Sequence, residues 1–231
     1  MKATSSPRVY QPRLARRSSG DEAALLIRRM IFDGELRPGE RVPQDDVAAM
    51  LGISRIPVRE ALIALEREGW VTIEMHRGAF VNALDARLVR DNYELFGLVY
   101  GFAGRLAISR AGPELVGRLD ELLAACDATD DPVEFGTYAS AFQATVVDAA
   151  QSPKVKVLLR AMSALVPGDF FALVPDAMMV WRRGFGAVLR AIRRGDGDAV
   201  ADEFLRAMRR IGAKVLAVFE ERGLFDSVPT A

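Results

Sequence analysis

The stretch Leu51-Gly52-Ile53-Ser54-Arg55-Ile56-Pro57-Val58-Arg59-Glu60-Ala61-Leu62 decides how this chain is read. Ser54 precedes a run with helical spacing and is a good N-cap, since its hydroxyl can accept an N–H that the first turn leaves unpaired. Pro57 suits that turn, where N–H groups have no intrahelical partner. Val58, Ala61, Leu62 and Leu65 then form an apolar stripe, and Gly69 stops the helix predicted over 55–68. Gly52 breaks an earlier short helix, 45–51, whose first turn carries Asp45 and Asp46. Arg55 and Arg59 are four residues apart, share a face and repel by about a few tenths of a kcal/mol. They also stand where the helix dipole is already positive. Stability alone does not put two arginines there. A polyanion against that end removes the contradiction, and a helix entering a major groove by its first turn would carry both side chains to guanine edges or phosphates. The alternative is that they pair with Asp45, Asp46 or Glu60.

Outward from this stretch, Ala23, Ile27, Met30 and Ile31 mark one face of an amphipathic helix over 21–33. Gly34 ends it, and Leu36-Arg37-Pro38-Gly39 reads as a turn. On the other side, Trp70-Val71-Thr72-Ile73-Glu74 and Ala79-Phe80-Val81 are strand-like runs joined by Met75-His76-Arg77-Gly78, a hairpin. Three helices and a hairpin within about 65 residues give the layout of a winged helix-turn-helix. Gly78 at the wing tip either serves a plain turn or lets the backbone approach DNA while Arg77 reaches a phosphate or the minor groove. The predicted DNA-binding residues are Ser54, Arg55, Ile56, Arg59, His76, Arg77 and Gly78.

Beyond residue 84 the pattern is helical, over 86–111, 113–127, 133–150, 154–165, 177–194 and 199–222. The breaks are Gly112-Pro113, Asp130-Asp131-Pro132, Gln151-Ser152-Pro153 and Gly195-Asp196-Gly197. In the first of these helices Leu95, Phe96, Leu98, Val99, Tyr100 and Phe102 cover most of the circumference, so it is expected to be buried on several sides or at a subunit contact. The stretch 167–175 reads as a loop made greasy by Phe170, Phe171, Leu173 and Val174; it either covers a pocket or packs between subunits. The predicted fold is mainly α: a tail over 1–20, a winged helix-turn-helix with a small β-hairpin wing over 21–83, and an all-α effector and dimerisation bundle over 84–231.

Composition excludes more than it suggests. Half of the 231 residues are apolar, and 31 basic residues balance 31 acidic ones, so net charge gives no support to nucleic-acid binding. Lys2, Arg8, Arg13, Arg16 and Arg17 precede the first acid; that tail is either a solvated leader or an arm adding phosphate contacts. No apolar run suits a membrane span or a signal peptide, and one cysteine, Cys126, forms no internal disulfide. A cytoplasmic protein follows. One histidine, no cysteine pair and no glycine-rich phosphate loop leave an enzyme, or a cofactor, without support.

The amino-terminal motifs carry a family resemblance. Residues 24–81, with Leu36-Arg37-Pro38-Gly39-Glu40, the opening stretch, Leu65, Gly69-Trp70-Val71 and Arg77-Gly78-Ala79-Phe80-Val81, resemble the GntR family of bacterial regulators. The helical remainder is similar to the C-terminal domain of its FadR-type subfamily, with Ala191-Ile192-Arg193-Arg194-Gly195-Asp196 as landmark. The resemblance implies a homodimer on a palindromic DNA operator, with Arg55, Arg59 and Gly78 touching DNA, and repression or activation tuned by a small molecule. An arginine that some members carry in the second helix is here Asp45. Many members hold a divalent metal through one Asp and three His; the matching positions here are Ala139, Gln143, Phe185 and Ala207. An Arg and a Glu common in relatives appear as Phe96 and Tyr100. The expectation is a metal-free cavity lined by Phe96, Tyr100, Gln143 and Phe185 for an apolar or amphipathic effector, such as a long-chain acyl derivative. The alternatives are that these side chains only fill a core, or that the fold serves protein interaction without ligand sensing.

Overall fold

The computed structural model describes residues 18–162, 165 and 170–225; most of the basic tail lies outside them, as do 167–169 of the greasy stretch. Helix α1, Ser19–Phe32, begins at a reciprocal cap: the Ser18 hydroxyl accepts the Asp21 N–H and the Asp21 carboxylate accepts that of Ser18, each at 3.1 Å. Helix α2, Gln44–Leu51, ends at Gly52, whose φ of 64° is the left-handed turn that reverses the chain. Helix α3, Arg55–Arg67, follows two residues later. Strands β1, Val71–Glu74, and β2, Gly78–Val81, pair antiparallel with Val71 opposite Val81 and Glu74 opposite Gly78. Residues 40–42 border the hairpin, where the Val42 N–H donates to the Ala79 carbonyl at 2.8 Å and the Val81 N–H to that of Glu40 at 2.9 Å. Ile27, Ile31, Val47, Val58, Leu65 and Trp70 bury the apolar faces of these elements together. This is the winged helix-turn-helix that the pattern implies.

The bundle comprises α4 (Ala86–Arg110), α5 (Glu114–Ala128), α6 (Pro132–Ala149), α7 (Pro153–Ala161), α8 (Phe170–Leu173), α9 (Ala177–Arg193) and α10 (Gly197–Glu221). Asp85, Asp131, Ser152 and Asp196 cap α4, α6, α7 and α10 by accepting first-turn N–H groups, which is why these boundaries were legible. Two expectations need correction. The helix expected over 154–165 ends at Ala161, and the expected loop contains the single turn α8, whose Phe171 packs edge-on against Phe135 at 4.7 Å.

Helix α4 explains its all-round greasiness. Gly97, Gly101 and Gly104 face α10, closely enough that a Cβ on Gly101 would lie 2.9 Å from the Ala201 Cα. Ala103 packs with Val147, Ala150 and Val155 of α6 and α7. Phe96 and Tyr100 form a third side with Tyr93, while Leu88, Leu95, Leu98 and Phe102 form a fourth that is open. The two halves of the chain meet where α1 ends against the end of α10. Phe32 and Phe219 stack edge to face at 5.7 Å, and Arg222 donates to the Phe32 carbonyl at 3.0 Å and to the Asp33 carboxylate at 2.8 Å.

Candidate nucleic-acid interface and interdomain cavity

The first turn of α3 is presented rather than packed. Ser54 occupies the N-cap position, but its hydroxyl makes no bond to the helix, contrary to the capping role expected of it. Ile56 is 68% exposed, unusual for isoleucine beside a well-packed stripe and suited to a thymine methyl. Arg59 is exposed and makes no ion pair among the described residues, whereas Arg55 is paired with Asp45 at the start of α2. That pair is open to solvent, its side chains 63% and 65% exposed, so Arg55 is restrained without being buried. Arg55, Arg59, His76 and Gly78 line one groove of about 740 Å³ between α3 and the wing; Ser54, Ile56 and Arg77 lie outside its lining.

At the wing, His76 takes a left-handed φ of 63° and Gly78 one of 111°. The Arg77 guanidinium pairs with Glu74 and lies 5.4 Å from the centre of the Phe80 ring, so it is held along the hairpin in the free protein. Sequence reading missed Arg41. Its guanidinium lies over Gly78, where a Cβ would come within 2.6 Å of Nε, and it lines the same groove. The signal was a cation in the short extended run after the Pro38-Gly39 turn, visible only once that run is known to border the wing.

A second cavity, of about 680 Å³, lies between the winged domain and the bundle. Ala24, Leu25 and Arg28 of α1 with Ala61 and Ala64 of α3 form one wall. Tyr93, Phe96 and Tyr100 of α4, Ser140 and Gln143 of α6, Phe170 and Phe171 of α8, Trp181 of α9 and Met208 and Ile211 of α10 form the other. Phe96, Tyr100 and Gln143 are thus brought together, but Phe185 is not with them. It stacks flat on Phe142 at 4.1 Å inside the core, because the face of α9 that meets the cavity is one turn earlier, at Trp181. Burial keeps both phenols neutral, pushing Tyr100 up to about 12 and Tyr93 higher still. The Trp181 indole N–H is buried beside the cavity with no hydrogen-bond partner.

Comparison with known proteins bears on both sites. Residues 20–81 match the model of bacterial regulatory proteins of the gntR family, and residues 91–210 match the FCD domain. The chain belongs to the GntR family. An uncharacterised HTH-type transcriptional regulator of Mycobacterium tuberculosis is 32% identical over 151 residues, 65% of this chain and 62% of the relative's own length. The HTH-type transcriptional regulator Mce2R of the same species is 31% identical over 185 residues, 71% of this chain and 77% of that one. Among solved structures, E. coli McbR/YncC superposes with a TM-score of 0.60 at 16% identity, covering 89% of this chain and 99% of that one, a likeness of fold. The two mycobacterial relatives are named as transcriptional regulators. In this GntR chain the gntR match covers the winged domain and the FCD match most of the helical bundle, and the chain spans about 62% of the first of those relatives.

The metal that many FadR-type GntR proteins hold does not fit this chain. Ala139 and Ala207 are buried and lack ligating atoms, and the stacked Phe142 and Phe185 rings fill the space beside them. Helices α9 and α10 close at that level, a Cβ on Gly184 lying 3.0 Å from that of Ala207. Among the described residues no group of three or more His, Cys, Asp or Glu could hold a metal ion. Nor is any helix among them long and apolar enough to cross a membrane.

Proposed function

We propose that the chain works as a homodimer that binds a palindromic DNA operator and whose affinity is set by an apolar or amphipathic small molecule, without a metal. The proposed division of labour follows the boundary near residue 84: 21–83 reads DNA, and 84–231 senses and dimerises. The observation that carries the reading is the open first turn of α3, which projects Arg55, Ile56 and Arg59 beside a wing bearing Arg41 and His76. A helix entering the major groove by that turn puts guanidinium groups at guanine edges, while the wing meets backbone or minor groove. Ser54 and Arg77 flank the same surface, Arg77 exchanging Glu74 for a phosphate. Selection of bound duplexes from a random pool tests this. The expected result is two inverted half-sites; enrichment of no sequence, or of a single unrepeated half-site, would sink it.

The homodimer is supported by α4. Leu88, Leu95 and Phe102 recur every seven residues with Leu98 between, and all four are more than half exposed, opposite the glycine face that meets α10. An apolar stripe repeating every seven residues and left exposed on α4 suits a two-fold pairing with the same stripe of a second copy. Phe102→Glu is expected to convert the dimer to monomer in sedimentation at micromolar concentration, with its circular dichroism unchanged. A Phe102→Glu protein that still sediments as a dimer would move the subunit contact elsewhere.

A further inference from the structure

We infer that the effector site of this protein is the interdomain cavity itself, so that its ligand touches the back of the DNA-reading domain, and that this ligand is a ring-bearing molecule with a neutral hydrogen-bond acceptor and no negative charge. The inference rests on the effector reading proposed above and goes further in naming the ligand class and the route of coupling.

The chemistry of the walls selects the ligand. Tyr93, Phe96, Tyr100, Phe171 and Trp181 give an aromatic bundle wall that suits planar or polycyclic rings, and the volume is that of a drug-sized ligand site. Trp181 is only 6% exposed, yet its indole N–H, a donor and nothing else, has no partner. A buried donor left unpaired is costly, so a small shift of the indole, which lines the cavity, toward an acceptor on the ligand would satisfy what the free protein does not. Tyr93 and Tyr100 line the same cavity, and burial keeps their phenols in the neutral, donating form. Among the described residues the only cation lining the cavity is Arg28, and it is engaged, its Nε donating to the Glu68 carboxylate at 3.0 Å. Asp21, Glu60 and Glu68 stand at the head side. Among the described residues a carboxylate or phosphate would find no uncommitted cation, since Arg28 and Glu68 hold each other, and would meet Glu60, which disfavours the acyl derivatives that the family resemblance suggested.

The coupling follows from where the halves are joined. Helix α1 is pinned at its last turn, where Arg222 holds Phe32 and Asp33, and its earlier turns, at Ala24, Leu25 and Arg28, form the cavity wall. Helix α10 contributes Met208 and Ile211 to the cavity and, about two turns later, Phe219 and Arg222 to the joint. A ligand that fills the gap sets the distance between α1 and the bundle about that joint. Helix α3 moves with α1, because Ala61 and Ala64 share the wall while Arg55 and Arg59 lie on the same helix. One protomer thereby converts ligand occupancy into a head angle, and the two heads of a dimer must match the spacing of two half-sites.

Nile red, an uncharged ring system carrying a carbonyl, is the probe, titrated against the full chain, with decanoate as the anionic competitor. The expected result is one dye per chain, undisplaced by decanoate. Ala64→Phe and Leu25→Trp, which fill the cavity from the head side, should each weaken the dye at least fivefold, as should Ser140→Phe from the bundle side. Saturating operator DNA should change the dye's Kd at least fivefold, and the dye should change the DNA Kd by the same factor. Loss with Ser140→Phe alone overturns the interdomain site and leaves the effector reading standing. Displacement by decanoate overturns the charge assignment. A wild-type chain that does not bind the dye overturns both readings. Thermal melts of the two head-side variants separate a filled cavity from a misfolded head, and wild-type affinity in both folded variants refutes the shared wall.

Discussion

Arg59→Ala is expected to weaken binding to the selected operator by about 10- to 100-fold, the range set by one bidentate base contact worth about 1–3 kcal/mol. Arg59 makes no ion pair among the described residues, so nothing within them competes for it and the whole contact is lost. Arg55→Ala is expected to cost somewhat less. In the free protein Arg55 already holds Asp45, and it must exchange that partner for DNA; an exposed ion pair is worth roughly 0–1 kcal/mol, which is the size of the discount. Asp45→Ala should accordingly tighten binding several-fold, because it frees Arg55 and removes a carboxylate from a surface that faces phosphates. The salt dependence assigns the contacts. Loss of a phosphate contact lowers the slope of log K against log salt by roughly one, while loss of a base contact relaxes preference at one position of each half-site. If Arg59→Ala binds the selected duplex within twofold of the wild type, α3 is not the reading helix.

The elements of this fold were legible because their ends are written locally. Asp131 and Asp196 stand at N-caps, Gly52 and Gly69 terminate α2 and α3, and the hairpin ends its first strand before Gly78. The Ser18 cap was missed, so that α1 begins at Ser19 inside the stretch expected to be tail. Which side of an element meets what is not a local property. Between Leu95 and Phe102 helix α4 is apolar all round, and no periodicity there distinguishes the glycine side that α10 touches from the side left open at Leu98 and Phe102. The same limit explains the cavity: Phe96, Tyr100 and Gln143 reach it, but Phe185 is carried into the core by its stack on Phe142, and half of the wall comes from the other domain. Arg41 was invisible because its role depends on a strand edge formed by residues distant in sequence. Asp45 was noticed as a departure, yet its pairing with Arg55 required the relative placement of two helices.

The same substitution, glycine to alanine, is expected to act with opposite signs in two helices. Gly117, inside α5, has nothing within 4 Å of where a Cβ would stand and an ordinary helical backbone. Alanine there reduces the freedom of the unfolded chain and improves helix propensity, a gain of roughly 0.5–1 kcal/mol, or about 1–4 °C in Tm for a chain of this size. Gly101 has the same propensity to gain and far more to lose. A Cβ there would lie 2.9 Å from the Ala201 Cα and 3.0 Å from the Ala201 carbonyl oxygen, both backbone atoms of the facing helix that cannot swing away. Helix α10 must then lift off α4 along the closest packing in the bundle, where Gly97 and Gly104 are equally tight. Overpacking of this kind costs about 1–3 kcal/mol and sometimes more; less the propensity gain this leaves a loss of up to roughly 2.5 kcal/mol, so Gly101→Ala should melt below the wild type by up to about 10 °C. Trimming the facing side chain should not restore it. Ala201→Gly removes only the third-nearest atom, a Cβ at 3.1 Å, and leaves the two backbone contacts in place. A Gly101→Ala protein as stable as Gly117→Ala would mean that α4 and α10 do not pack backbone to backbone, and the position of Met208, Ile211 and the Arg222 joint along α10 would have to be redrawn with them.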